Sequence, residues 1–189
     1  MTSWKHLLPA ALTPAECQQL IAYATTQIPD TEGAIGYGGK NVIVNTFRRS
    51  RLRWLKREDP ELQWLFTRMD QWVMSANARV FGFDVTGNFE VQFTEYHGSN
   101  AGKYDWHEDN SWLGTTPFDR KLSMSIQLSH AQTYSGGRME LAQGNLAEGE
   151  FCNQGDALIF PSFLRHRVLP VTSGVRYSLV SWWQGPRLR

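Results

Sequence analysis

From residue 88 onward the hydrophobic pattern loses its helical period, and short apolar runs alternate with turn signals. The spacing predicts strands over 90–96, 122–128, 139–142, 157–160, 164–168 and 175–183, punctuated by Gly136-Gly137, Gly144-Asn145 and Gly155-Asp156. Two amphipathic helices precede them. Thr13-Pro14-Ala15-Glu16 has the capping-box pattern with proline at the first helical position, and Cys17, Leu20, Ile21, Ala24 and Ile28 follow as one apolar stripe. Asp59-Pro60 opens the second helix, whose stripe runs through Leu62, Leu65, Phe66, Met69, Trp72, Val73, Ala76 and Val80 to Gly82. Two helices followed by many short strands predict a mainly β chain with flanking α-helices, a double-stranded β-helix or cupin-like jelly roll. At 189 residues the expectation is one domain, with helical support over about 1–87 and a jelly-roll core over about 88–189.

Charge and cysteine content exclude several function classes. The formal net charge of +1 offers no global attraction for nucleic acid or a membrane surface. Cys17 and Cys152 are too few and too distant for a disulfide framework, so a reduced, cytoplasmic setting is expected. Neither a signal peptide nor an apolar run of membrane-spanning length is visible. Residues 33–40 are glycine-rich without the Gly-Lys-Ser/Thr of a phosphate loop, and 41–44 reads as a short strand. Arg48, Arg49, Arg51 and Arg53 form either a basic wall for an acidic ligand or a solvated strand face beside buried Leu52 and Trp54; the near-zero net charge favours the second. Aromatic residues make up 13% of the chain, with eight Trp, which suits a β-rich fold or a ring-lined ligand cleft.

The chemistry concentrates in Tyr104-Asp105-Trp106-His107-Glu108-Asp109. On an extended strand His107 and Asp109 face the same side, while Glu108 alternates away. With His166 they would form a facial site of two histidines and one carboxylate, whose open positions suit non-haem Fe(II). A bidentate cosubstrate with a distal carboxylate needs a fixed cation, and Arg176, ten residues after His166, supplies a planar fork. Arg176, Ser178, Val180 and Trp182 share one strand face by alternation, and Trp183 takes the other. His6, His97 and His130 read as structural or exposed, and Cys152 has no ligand partner nearby in sequence. Trp106, Trp112 and Trp182 are candidates for the substrate cleft.

From about residue 90 to 186 the chain resembles the prolyl-4-hydroxylase branch of the Fe(II)/2-oxoglutarate dioxygenases. The matching stretches are Tyr96 with the Gly-Lys-Tyr-Asp-Trp-His-Glu-Asp run ending at Asp109, the Arg-Lys-Leu-Ser-Met-Ser-Ile-Gln-Leu run from Arg120 to Leu128, the Tyr-Ser-Gly-Gly-Arg-Met-Glu-Leu run from Tyr134, and the run from His166 to Ser178. The resemblance implies a double-stranded β-helix with iron at its mouth and Fe(II), 2-oxoglutarate and O2 as cofactors, and it leaves a need for ascorbate open. It assigns His107, Asp109 and His166 to iron as the catalytic set and Arg176 to the distal carboxylate. Tyr96 would contact the cosubstrate, with Ser178 and Gln127 beside it; Tyr104, Trp106 and Trp182 would border the substrate. Where some relatives place a helping tyrosine on the central strand, this chain offers Ser123, Ser125 and Gln127. The implied reaction is hydroxylation of an unactivated C–H bond coupled to conversion of 2-oxoglutarate to succinate and carbon dioxide. A prolyl residue in a protein or peptide is the first choice of substrate, ahead of a free amino acid or other small molecule. A nucleobase demethylase fits less well, because the position six residues after Arg176, where such enzymes carry a second arginine, is Trp182. The rival of another class is a catalytically silent jelly-roll binding module.

Overall fold

The computed structural model describes residues 4–37, 40–87, 90–110 and 117–187. In chain order the strands and α-helices are β1 (His6–Leu8), α1 (Pro14–Gln27), β2 (Thr31–Glu32), β3 (Ile35–Tyr37), β4 (Lys40–Val42), β5 (Arg48–Arg49), β6 (Arg51–Lys56), α2 (Gln63–Ala76) and β7 (Glu90–His97). They continue with β8 (Lys103–His107), β9 (Phe118–Gln127), β10 (Tyr134–Gly136), β11 (Met139–Leu141), β12 (Ala157–Pro161), β13 (His166–Val168) and β14 (Val171–Pro186). A major sheet runs β1-β12-β9-β14-β7-β6-β2 with β10 also paired to β14, and a minor sheet runs β11-β13-β8-β5. The pairings are antiparallel, so two facing sheets form the expected jelly roll. Strands β3 and β4 form a separate two-stranded ribbon, in place of the single strand expected at 41–44.

The helix starts follow their local chemistry. Thr13 Oγ1 accepts from the Glu16 amide at 3.2 Å, and Glu16 Oε2 accepts from the Thr13 amide at 2.8 Å, closing the capping box. Asp59 caps a short 3-10 turn at Pro60–Leu62, which leads into α2. The second helix is shorter than its stripe suggests. It ends at Ala76, a π turn covers Asn77–Phe81, and Gly82 terminates the turn in the left-handed region at φ 70°.

The major sheet has two unlike faces. On the outer face Leu55, Val91, Phe93, Leu122, Met124, Ile126, Leu179 and Trp183 join α1 and α2 in the principal apolar core. On the inner face the alternating positions are Gln92, Thr94, Tyr96, Ser123, Ser125, Gln127, Arg176 and Ser178, all buried. Burying so many polar groups is unfavourable unless something pairs with them. Around Met139, Leu141, Leu158, Phe160 and Leu164 the interior becomes apolar, and a smaller apolar cluster gathers Tyr96, Val168 and Val171.

The first 87 residues contribute strands to both sheets, β6 beside β7 and β5 beside β8. The arginine run accordingly departs from the solvated face expected of it. Arg48 and Arg53 are buried; Arg53 pairs with Glu95, and only Arg51 extends well into solvent while pairing with Asp30 at 2.7 Å. Leu52 is buried as expected, but Trp54 is only half-buried, tilted against Trp182. The cause is strand pairing: β6 lies against β7 with Arg53 opposite Phe93, two residues from Glu95, so its carboxylate partner comes from a strand that local sequence does not reveal.

Candidate metal centre

His107 is the last residue of β8, and Asp109 lies beyond the strand. Simple alternation therefore does not bring the two together. Instead the Asp109 and Asn110 amides both donate to the Ser162 carbonyl, at 2.9 and 3.2 Å, folding the chain back toward the strand end. His166 opens β13 directly opposite His107, with ring centroids 4.2 Å apart. One ligand atom from each of His107, Asp109 and His166 falls within 4.8 Å of the others.

The donor atoms are prepared for a cation. His107 Nδ1 donates to the Asp105 carbonyl at 2.7 Å and His166 Nδ1 donates to the Leu164 carbonyl at 2.9 Å, so each Nε2 keeps its lone pair. Asp109 Oδ1 lies 3.8 Å from His107 Nε2, and Oδ2 lies 3.5 Å from His166 Nε2. Those separations are too long for hydrogen bonds and suit atoms that share an ion. Ser123 Oγ donates to Asp109 Oδ2 at 2.7 Å and itself contacts Ser162 Oγ at 2.9 Å. Burial, and next the neighbouring His166, depress the His107 pKa to about 3, keeping that imidazole neutral and available. Burial alone would raise the Asp109 carboxyl, but His166, His107, Arg120 and the Ser123 hydrogen bond together hold it below its ordinary value. Two imidazole Nε2 atoms and a carboxylate gathered at one strand end fit a divalent iron site.

The polar inner face also carries a buried arginine and neutral polar groups. Arg176 is 2% exposed, and its Nη1 lacks a hydrogen-bond partner among the described residues. Tyr96 sits opposite it on β7, with the guanidinium 5.7 Å from the ring centroid, and burial pushes the phenol upward so that it stays protonated. Gln127 lies opposite Ser178; its Nε2 donates to Tyr134 Oη at 2.8 Å and to the Ser129 carbonyl at 3.2 Å, and its Oε1 has no partner among the described residues. Gly137 has φ 64°, and a Cβ there would lie 2.9 Å from Arg176 Cδ and 2.7 Å from Val171 Cγ2, so glycine gives the arginine its room.

Of the aromatic candidates, Tyr104 lies flat on His107 with centroids 3.5 Å apart, and burial raises its pKa to about 12. Trp182 lies under Arg120, 3.8 Å from guanidinium carbon to ring centroid, and its buried Nε1 has no partner among the described residues. Trp106 is half-buried under Arg167 at 4.7 Å. Trp183 takes the opposite face, in the core, donating to Asp70 Oδ1 at 3.0 Å. Trp112 lies outside the described residues. His97 pairs with Glu95 and exposed His130 caps a 3-10 turn, so neither joins the triad.

Sequence reasoning missed Arg48, Ser162, Tyr134 and Gly137. The double glycine carried a usable signal, since two consecutive positive-φ residues suggest a tight backbone approach. Ser162 carried none. Ser123, a candidate helper for Arg176, instead serves Asp109. A charged cleft of about 570 Å³ lined by Asp30, Glu32, Arg49, Arg51 and His97 contains none of the triad.

Residues 91–184 match the family model of the 2OG-Fe(II) oxygenase superfamily. A PKHD-type hydroxylase of Synechococcus sp. (strain CC9311) is 37% identical over 81 residues, which are 43% of this chain and 36% of that protein. One from Alteromonas mediterranea is 33% identical over 100 residues, 51% of this chain and 43% of its own length. The match thus spans well under half the length of these curated relatives. Among solved structures, a Pseudomonas putida prolyl-4-hydroxylase superimposes with TM-score 0.72 at 18% identity, covering 99% of this chain and 95% of the other. A Trichoplax adhaerens prolyl hydroxylase, solved with a hypoxia inducible factor oxygen degradation domain peptide fragment, gives TM-score 0.76 at 20% identity over 96% of this chain and 84% of that one. The structural likeness bears out the jelly roll, and the family match bears out the resemblance carried by the sequence motifs.

Proposed function

We propose, from the match of residues 91–184 to the 2OG-Fe(II) oxygenase superfamily model, that this chain is an Fe(II)- and 2-oxoglutarate-dependent dioxygenase acting on a prolyl residue of a peptide or protein. In this reading residues 1–189 work as one domain, in a reducing compartment such as the cytoplasm. The two cysteines are unpaired, and no helix among the described residues is long and apolar enough to cross a membrane. The observation that carries the proposal is the convergence of two Nε2 atoms and a carboxylate, together with a buried arginine whose Nη1 has no partner among the described residues.

Iron with 2-oxoglutarate and O2 would supply the oxidising chemistry, leaving succinate, carbon dioxide and the hydroxylated product. His107, Asp109 and His166 would hold the metal, with Ser123 and Ser162 fixing the carboxylate. Arg176 would pair with the distal carboxylate of 2-oxoglutarate, because a charge-assisted fork satisfies a guanidinium that the fold leaves open. Tyr96, Ser178 and Gln127 line the same face and would add neutral hydrogen-bonding groups around that anion. Tyr104, Trp106 and Trp182 would border the substrate; an indole wall suits a compact ring such as proline. The peptide carried by the Trichoplax neighbour supports a peptide-sized substrate.

The test has two arms. Anaerobic Fe(II) plus 2-oxoglutarate should give a weak visible charge-transfer band, whose absence would favour a silent binding module. Mass spectrometry across a peptide library and a metabolite pool should find products gaining one oxygen atom, at proline in peptides. Oxidised free amino acids alone would replace the prolyl reading.

A further inference from the structure

We infer that Arg48 and Tyr104 are positioning residues for His107, joined to it in one stack of guanidinium, phenol ring and imidazole. The inference rests on the reading of His107 as a metal ligand. Arg48 lies outside residues 91–184, in the N-terminal arginine run.

The backbone makes the stack possible in two steps. First, β8 and β13 pair His107 with His166 and Tyr104 with Val168, three residues along one strand against two along the other. Such a bulge reverses the alternation locally, so Tyr104 and His107 come to share a face. Second, β5 pairs with β8 so that Arg48 lies directly opposite Tyr104, within reach of its ring.

The side chains then meet closely. The Tyr104 ring and the His107 imidazole are 3.5 Å apart between centroids and 14° from parallel. With the imidazole flat against one face, the Arg48 guanidinium takes the other, its carbon 4.3 Å from the ring centroid. Phe47 closes an edge at 5.8 Å and 79°. Arg48 is itself fixed, donating from Nε to Ser50 Oγ at 2.9 Å and from Nη1 to the Ala34 carbonyl at 3.1 Å. A Cβ on Gly33 would lie 2.8 Å from Arg48 Nε and 2.3 Å from Ser50 Oγ, so glycine there makes space for this anchor. Arg48 is 5% exposed and makes no ion pair among the described residues, and its Nη2 has no hydrogen-bond partner among them. A buried guanidinium without a carboxylate is costly, and the π-face of Tyr104 offsets part of that cost.

The consequence for the metal is geometric. The Nε2 lone pair lies in the imidazole plane, and the Nδ1 hydrogen bond to the Asp105 carbonyl fixes one point of the ring. Tilt about that hydrogen bond remains free, and the stacked phenol ring removes it.

The test uses Co(II) alone, with the full chain, reading affinity by calorimetry and geometry by visible absorption. Arg48→Met and Tyr104→Leu should each weaken Co(II) binding about 10- to 100-fold and shift the absorption bands, as loss of a ligand's supporting contact does. Tyr104→Phe keeps the ring and should bind Co(II) like wild type; Arg48→Lys should recover part of the affinity. A folded Arg48→Met protein, judged by circular dichroism and thermal unfolding, with wild-type affinity and spectrum would overturn the inference. Should Arg48→Met fail to fold, the same result in Tyr104→Leu would overturn it. Adding 2-oxoglutarate to the wild-type Co(II) protein separates the two readings. A spectrum that 2-oxoglutarate leaves unchanged would count against the proposed activity, while the variant series would still decide the stack.

Discussion

The two faces of the major sheet are made by the same strands, yet they answer to different physics. Outward residues such as Leu122, Met124, Leu179 and Trp183 meet α1 and α2 in a packed apolar layer. Their inward neighbours Ser123, Ser125, Ser178 and Trp182 line a buried polar interior in which several side-chain atoms have no hydrogen-bond partner among the described residues. The outer face is complete in itself and carries stability. The inner face is incomplete, and a ligand would complete it.

This contrast makes predictions that can break it, and the largest effect belongs to the inner face. Asp109→Ala removes the one carboxylate of the triad and should abolish metal binding and turnover with little change in thermal midpoint. Wild-type iron affinity and full activity in that variant would end the metal assignment. The outer face should behave in the opposite sense. Leu179→Ala leaves a cavity in the core and should cost about 2–5 kcal/mol of unfolding free energy. The molecules that remain folded should bind 2-oxoglutarate normally, as urea titration and anaerobic binding in parallel would show. A large loss of affinity without loss of stability would collapse the distinction between the faces.

A smaller effect is expected at Arg176, where losing a charge-assisted bidentate contact is worth about 1.5–3 kcal/mol, roughly tenfold to over a hundredfold in 2-oxoglutarate affinity. Stability of the ligand-free protein should hold or rise, because the substitution removes a deeply buried charge. Arg176→Lys should recover only part of the affinity, since an ammonium cannot reproduce the fork. An unchanged affinity for 2-oxoglutarate in the alanine variant would place the cosubstrate elsewhere. The smallest effect tests how closed the outer face is. Burial, and then the charge of Glu16, push the Cys17 thiol up to about 11. At pH 8 only about one part in a thousand would be thiolate. Native protein should therefore incorporate iodoacetamide at half-buried Cys152, and at Cys17 only after unfolding. Rapid labelling of Cys17 in the native state would show that the helical layer opens readily.

What the sequence determined by itself was whatever depends on near neighbours. The capping box at Thr13, the proline-led turn at Asp59 and the separation of Trp182 from Trp183 all follow from contacts or alternation within a few residues. The grouping of His107, Asp109 and His166 was legible too: two histidines and a carboxylate in that order suggested a shared site, and the fold brings the three together. The means by which they converge were not. Asp109 is held by Ser162, Ser123 turns to Asp109 and not to Arg176, and a bulge in β8 sets Tyr104 on His107. Arg48 looked solvated because its anchors, Ser50, the Ala34 carbonyl and the Tyr104 ring, become visible only once β5 lies against β8. Tertiary structure decided these points because strand register joins residues far apart in the chain, and a shift of one position changes which side chains meet.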